Sequence, residues 1–164
     1  DPNLELVIKD TLESSGLAPE FLEIEVTESM LMDNIDSVIN QLNRIKATGV
    51  TITIDDFGSG YSSLSYLSRF PLDELKIDRS FVIDFDKSQN DASLIIAVIA
   101  MGRSMNLQLV AEGVETPEQY HFLRQHGAHV IQGYLFSQPV PAKELVPMLS
   151  PGYFREQISN IGPG

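Results

Sequence analysis

Residues Thr51–Gly60 read TITIDDFGSG, a strand-like segment that runs into two adjacent acids and a glycine-rich loop. Thr51 to Ile54 alternate hydroxyl and β-branched apolar side chains, which favours a strand with two different faces. Asp55 and Asp56 repel each other unless they share a cation or a proton. A strand that ends in two acids before a loop is typical of an active-site edge, and a solvated acidic turn is the alternative interpretation.

Composition and charge narrow the class of protein. The chain has 164 residues, 43% of them hydrophobic, which is enough for one domain with a substantial core. It contains no cysteine, which excludes disulfides and zinc–thiolate sites. The net charge of −12 argues against binding of a nucleic-acid polymer. The longest apolar run, residues 94–101, is too short to span a bilayer, and no signal peptide is evident. We therefore expect a cytoplasmic protein, unless a longer parent carries a membrane anchor.

The order of predicted elements is a helix followed by five strand–helix units. The strands are predicted at 22–26, 51–55, 75–78, 107–114 and 130–136. The helices are predicted at about 3–15, 33–48, 62–69, 91–105, 116–125 and 142–149. Residues 151–164 are expected to form a loosely ordered tail. Such alternation favours an α/β fold with a parallel sheet covered by helices, either a barrel or a doubly wound sheet.

Each predicted strand carries one polar residue at or near its carboxyl end. In chain order these residues are Glu25, Asp55, Lys76, Glu112 and Gln132. Their neighbours within the strands are mostly apolar, and side chains alternate across a strand, so all five can point to one face. In a parallel barrel that face is the mouth at the carboxyl ends of the strands, where such enzymes keep their chemistry. One or two buried polar residues would not be unusual, but one on every strand indicates a site.

The types of residue at this edge narrow the chemistry. Four of them are acids: Glu25, Asp55, Asp56 and Glu112. Their hard oxygen atoms suit magnesium, manganese or calcium, and two divalent cations would relieve their repulsion and attract an anionic substrate. Lys76 can hold or help deprotonate a metal-bound water or contact a phosphoryl oxygen, and Gln132 can donate to the same water or to substrate. Two-metal hydrolysis of a phosphodiester uses these groups together.

Five segments of the chain resemble the sequence motifs of a known family. They are EVTES (Glu25–Ser29), TIDDFGSGYSSL (Thr53–Leu64), LKIDRSF (Leu75–Phe81), VAEGVET (Val110–Thr116) and QGYLFSQP (Gln132–Pro139). In order and in spacing they closely resemble the motifs of EAL domains, a family of cyclic di-GMP phosphodiesterases. The resemblance covers almost the whole chain. It implies a modified (β/α)8, TIM-like barrel, of which this chain would contain about five parallel strands.

The resemblance also implies an activity and roles for residues. EAL domains take part in bacterial second-messenger signalling and cut cyclic di-GMP to linear pGpG with two Mg²⁺ or Mn²⁺ ions, and Ca²⁺ is expected to be inhibitory or non-productive. By motif position the implied metal ligands are Glu25, Asp55, Asp56 and Glu112, with Asp55 reaching both ions. Lys76 would orient or deprotonate the attacking water, and Gln132 would contact a metal-bound water or the substrate.

Two further acids acquire supporting roles from the same resemblance. Glu28 would hold the loop at residues 57–63, which in this family links the metal site to dimerisation. Glu115 would not bind a metal itself but would help to hold the residues that do. Both acids also stand at predicted helix starts, where a carboxylate simply favours the helix dipole, and that interpretation stays open.

The chain departs from the family pattern at one point. The Glu-Ala-Leu motif and the strand with the family's asparagine ligand are absent from these 164 residues. We therefore expect residues 1–150 to be the C-terminal portion of a single EAL domain, without its N-terminal strands, followed by a tail at 151–164. We expect this piece alone to be inactive. In the parent protein we expect a homodimer through the barrel face near residues 57–69, and flanking sensor or GGDEF-type domains.

Two alternative functions remain open from the sequence. A catalytically silent module could bind cyclic di-GMP and signal through a partner, although receptor versions of the family often lose metal ligands that this chain keeps. A barrel of unrelated chemistry, such as an aldolase, could use Lys76 as a Schiff-base lysine. The acids around that lysine argue against the second alternative because they favour its charged form.

Overall fold

A computed structural model describes residues 3–31, 34–58, 64–83, 85 and 89–162. Residue 33, where the second helix was predicted to start, and most of the glycine-rich loop lie outside the described residues. Within them, no helix is long and apolar enough to cross a lipid bilayer.

The fold is built on a five-stranded parallel sheet, which confirms the predicted α/β class. The strands are β1 Glu23–Thr27, β2 Thr51–Phe57, β3 Glu74–Ile77, β4 Gln108–Ala111 and β5 Val130–Ile131. They pair in chain order, so that β1 and β5 are the edges of a sheet that is not closed. Parallel strands need a crossover between them, and each crossover here contains at least one helix. The order of elements is that of an incomplete barrel.

Helices fill the crossovers and flank the sheet. They are α1 Leu4–Ser15, α2 Glu28–Leu31, α3 Ile35–Lys46, α4 Leu64–Leu67, α5 Arg79–Ile83, α6 Gln89–Ser104, α7 Pro117–His126, α8 Ala142–Met148 and α9 Arg155–Asn160. Helix α7 begins with a capping box: the Gln119 side chain accepts the backbone N–H of Thr116 at 3.0 Å, and the Thr116 hydroxyl accepts the backbone N–H of Gln119 at 3.3 Å. Gly127 ends that helix with a left-handed φ of 101°.

One face of the sheet packs into the hydrophobic core. It is formed by Ile52, Ile54, Leu75, Ile77 and Leu109, all of them fully buried. Each such side chain contributes about 1.5–3 kcal/mol by leaving water. Because side chains alternate along a strand, this packing directs the intervening residues to the opposite face, which we call the polar face. It carries Glu25, Thr53, Asp55, Glu74 and Lys76.

The structure differs from the sequence prediction at several element ends. β2 runs to Phe57 through an irregular register with β3, whereas β4 stops at Ala111, before the left-handed Gly113 at φ 66°. β5 has only two residues. The expectation of a loosely ordered tail was wrong for residues 155–160, which form α9. The Phe154 ring, just before that helix, packs edge-on against Phe136 at 6.2 Å between centroids.

Candidate active site

The register of the first three strands aligns the polar face in rows. Glu25 pairs with Thr53, and Thr53 pairs with Glu74, so these three residues form one row across β1, β2 and β3. Asp55 and Lys76 each lie two residues further along their strands, on the same face and nearer the carboxyl ends. The rows therefore bring acids of neighbouring strands towards a single lysine.

Lys76 is the centre of the site. Its Nζ lies 2.7 Å from Glu25 Oε1, 2.6 Å from Glu112 Oε1 and 3.5 Å from Asp55 Oδ1. The three acids come from β1, from β2 and from the residue that follows β4. Lys76 itself is 8% exposed. One ammonium group thus holds together three carboxylates that would otherwise repel one another.

The charge state of Lys76 follows from these contacts. Burial alone would lower the pKa of the ammonium, but the hydrogen bonds to Glu112 and Glu25 and the charges of Glu112 and Asp55 raise it well above its ordinary value. A Schiff-base lysine needs a depressed pKa, so this environment argues against the aldolase alternative.

Asp56 lies beside this cluster in an unusual backbone conformation. Its φ is 54°, a left-handed value that is uncommon for a residue other than glycine, and it falls where the β2–β3 register shifts. A side-chain hydrogen bond with Asp78, followed by the charge of Asp55, raises the pKa of Asp56 above its ordinary value. Backbone strain and shifted pKa values of this kind concentrate at functional sites.

Asp78 is a residue to which the sequence analysis gave no role. Burial would raise the pKa of its carboxyl group, but the hydroxyl and the backbone N–H of Ser80 donate to Asp78 and hold that pKa below its ordinary value. The contacts therefore shift the pKa values of the two carboxyl groups in opposite directions, up for Asp56 and down for Asp78. The available signal was its position two residues after Lys76 in LKIDRSF, because the predicted strand at 75–78 would place both side chains on one face.

Glu28 contacts the loop that its sequence position suggested. The side chain is buried at the start of α2, and its Oε2 accepts the backbone N–H of Gly58 at 3.0 Å. Gly58 has a φ of 97°, and a Cβ atom there would lie 2.9 Å from the Phe81 ring. The first residue after β2 is therefore held by one acid and one aromatic ring, while residues 59–63 lie outside the described part of the chain.

Glu115 is tied to a residue that the sequence analysis also missed. Arg79 Nη2 lies 2.8 Å from Glu115 Oε1, and the Arg79 side chain crosses Gly113 so closely that a Cβ there would be 2.2 Å from Arg79 Cγ. The backbone N–H of Glu115 donates to Gln119 Oε1 at 2.7 Å. The segment that carries Glu112 is thus clamped from both sides. The pairing joins residues far apart in sequence, so no local pattern could have indicated it.

Gln132 lies just past β5 and is exposed. Its backbone bonds Ala111 and Val114 at 2.9 and 3.1 Å, which sets it beside the end of β4. It lines a cleft of about 490 Å³ together with Glu112 and the Arg79–Glu115 pair. Of the five predicted strand-end residues, three contact the fourth, Lys76, and Gln132 shares this cleft with one of those three, Glu112.

A larger cavity, of about 700 Å³, lies beyond the free edge of β5. It is lined mainly by apolar residues of α7, β5 and the chain around α9, including Tyr120, Phe136 and Phe154. It shares Gln132 with the smaller cleft, but none of the acids around Lys76 lines it. Size alone therefore does not identify the site, and the cleft beside the charged cluster is the better candidate.

The donor set fits hard divalent cations in type and in convergence. Carboxylate oxygens of three strands reach one point, and oxygen donors without cysteine or histidine suit Mg²⁺ or Mn²⁺. Among the described residues, however, no group of three or more acidic or histidine side chains is placed to hold a metal ion. The ammonium of Lys76 stands among the acids and neutralises part of their charge.

Comparison with known proteins agrees with the family resemblance of the five sequence motifs. The sequence pattern of the EAL domain family matches residues 2–139. The cyclic di-GMP phosphodiesterase NbdA of Pseudomonas aeruginosa is 54% identical over 138 residues, which are 84% of this chain and 18% of NbdA. This chain therefore spans about a fifth of the length of that relative.

Three of the solved structures that match are similar in fold as well as in sequence. The PaMucR phosphodiesterase in complex with c-di-GMP has a TM-score of 0.85 and 44% identity, over 88% of this chain and 58% of the other. The manganese and c-di-GMP complex of Klebsiella pneumoniae BlrP1 has a TM-score of 0.78 and 36% identity, over 85% and 36%. A calcium and c-di-GMP complex of BlrP1 matches with the same TM-score and identity, over 85% and 35%.

Proposed function

The chain belongs to the EAL domain family, and we propose that the protein that contains it hydrolyses one phosphodiester bond of cyclic di-GMP to give linear pGpG. The observation that carries the proposal is the meeting of Glu25, Asp55 and Glu112, from three separate strands, at Lys76 Nζ. The names of NbdA and of the PaMucR complex support it, since both are phosphodiesterases connected with this dinucleotide.

We assign the metal-ligand role to Glu25, Asp55, Asp56 and Glu112, with two divalent cations, Mg²⁺ or Mn²⁺. Bound cations would neutralise the phosphate and favour the developing charge of the reaction. The manganese and calcium complexes of BlrP1 support divalent cations in general, and the preference for Mg²⁺ or Mn²⁺ over a non-productive Ca²⁺ is part of the proposal.

The remaining residues act on water and substrate in this proposal. The reaction adds one water across a P–O bond: the water oxygen joins the phosphorus, and the ribose oxygen leaves with a proton. Lys76, which donates to two carboxylates here, would orient the attacking water once cations take over those acids. Gln132 would contact the substrate from the shared cleft. Glu28 and Glu115 would hold the Gly58 turn and the Glu112 segment.

The direct test uses the protein expressed at full length from its own gene, supplied with cyclic di-GMP and Mg²⁺, with products separated by chromatography. We expect pGpG, and a loss of rate of about a hundredfold or more for Lys76→Ala. Lys143→Ala, on the exposed side of α8, is the matched control and should keep the rate. Tight binding of cyclic di-GMP without turnover would contradict the proposal and favour the silent receptor.

Several features of the whole protein remain predictions. We propose that residues 1–150 form the C-terminal portion of one EAL phosphodiesterase domain, followed by the 151–164 tail, and that this piece alone is inactive. The chain spans 58% of the PaMucR phosphodiesterase chain, which supports this. A homodimer through the face near residues 57–69, flanking sensor or GGDEF-type domains and a cytoplasmic location also belong to the proposal.

A further inference from the structure

Thr53 on β2 has a buried hydroxyl group without a partner. The residue is fully buried, and its Oγ1 makes no hydrogen bond in the structure. Thr53 is the single case of this kind among the described side chains, which makes it an exception to a strong rule. A buried hydroxyl without a hydrogen-bond partner lowers the stability of the fold. Valine has nearly the same shape and would avoid this cost, so packing alone does not explain a threonine here.

The position of Thr53 supplies a reason. It lies on the polar face, two residues before Asp55, and its strand partners are Glu25 on one side and Glu74 on the other. Glu74 Oε2 accepts a hydrogen bond from Gln108 Nε2 at 2.6 Å, and Glu25 Oε1 accepts one from Lys76 Nζ at 2.7 Å. Of these two strand partners, Glu25 is the one that the proposed function assigns as a metal ligand.

Carboxylates that bind metals are themselves usually held by hydrogen bonds from residues behind them, and losing such a bond costs about 10–100-fold in metal affinity. We propose that Thr53 is a positioning residue for Glu25: when a divalent cation draws Glu25 away from Lys76, the Thr53 hydroxyl donates to its carboxylate and fixes it for the cation. This inference rests on the proposed function, because it takes Glu25 as a ligand.

The test measures Mn²⁺ affinity by calorimetry on the full-length protein without substrate. Thr53→Val removes the hydroxyl and keeps the volume, and we expect at least about tenfold weaker Mn²⁺ binding with unchanged or higher thermal stability in the absence of metal. Thr53→Ser restores the hydroxyl and should bind Mn²⁺ within about twofold of the wild type. Ile52→Val, on the apolar face of the same strand, controls for general disturbance of β2 and should not change the affinity.

The outcomes separate this inference from the proposed function. If the wild type binds Mn²⁺ and Thr53→Val binds it equally well, or Thr53→Ser is as weak as Thr53→Val, Thr53 has no positioning role, whereas the proposed function stands. If the wild type itself binds no Mn²⁺, the metal assignment fails and this inference fails with it.

Discussion

At the scale of single residues, the site depends on one cation placed among acids. Lys76 is buried, and it contacts Glu25, Asp55 and Glu112 at 2.7, 3.5 and 2.6 Å. Removing one member of a buried charged group costs far more than removing a surface pair, because the remaining charges stay desolvated and unpaired. Lys76 therefore has a structural role in the metal-free protein besides the role proposed in hydrolysis.

This role predicts a stability effect that is separate from activity. Lys76→Met keeps the apolar stem but removes the charge, and we expect it to lower the free energy of unfolding by about 1–3 kcal/mol without metal. Mg²⁺ should restore part of the loss, because it replaces the missing positive charge. Denaturant unfolding with and without Mg²⁺ measures both effects.

The control for this variant is Lys9→Met. Lys9 forms an exposed i,i+4 pair with Glu5 at 2.7 Å, and such pairs contribute about 0.3–0.5 kcal/mol. Equal losses for the two variants would mean that the acids around Lys76 do not depend on its charge.

At the scale of elements, strands β1 to β3 carry most of the site, and the segment after β4 adds Glu112 to it. The segment after β4 turns at Gly113, where the Arg79 side chain passes directly over the backbone and reaches Glu115. Glu112 precedes this turn, so the packing of α5 against it fixes one of the proposed ligands. The contact links two strand–helix units across the mouth of the sheet.

Gly113→Ala tests this packing, and Gly16→Ala is its matched control. The two glycines have almost the same left-handed φ, 66° and 68°, but a Cβ at Gly16 meets nothing within 4 Å, whereas one at Gly113 would lie 2.2 Å from Arg79 Cγ. Both substitutions carry a backbone strain of about 1 kcal/mol. We expect Gly113→Ala to cost at least about 1 kcal/mol more in unfolding experiments and to slow hydrolysis. If Gly113→Ala and Gly16→Ala lower the free energy of unfolding equally, the Arg79 side chain moves aside without a measurable cost, and the proposed packing is contradicted.

The sequence predicted the parts of this structure that depend on short-range periodicity. Alternation along TITIDD indicated which side of β2 is polar, and the repeat of strands and helices indicated a parallel sheet. The left-handed Asp56 could not be predicted in this way, because it depends on a register shift between β2 and β3. The Arg79–Glu115 pair and the packing of Phe154 on Phe136 join distant segments, and only the folded chain brings them together.

At the scale of the whole molecule, the acidic residues are unevenly distributed. The net charge is −12, and three of the acids gather around Lys76 at one edge of the sheet, with Asp56 beside them. An acidic mouth would repel a dinucleotide unless cations reverse the local charge, so the account requires metal binding before substrate binding. Three of the four acids lie on strands β1 and β2, and the fourth, Glu112, follows β4.

The most direct test of this account is anomalous X-ray scattering from crystals of the full-length protein soaked with Mn²⁺. We predict two neighbouring manganese peaks within coordination distance of Glu25, Asp55, Asp56 and Glu112, with Lys76 displaced from at least one of those carboxylates. Fully occupied manganese sites elsewhere on the protein, or none at all at this edge of the sheet, would contradict the central claim.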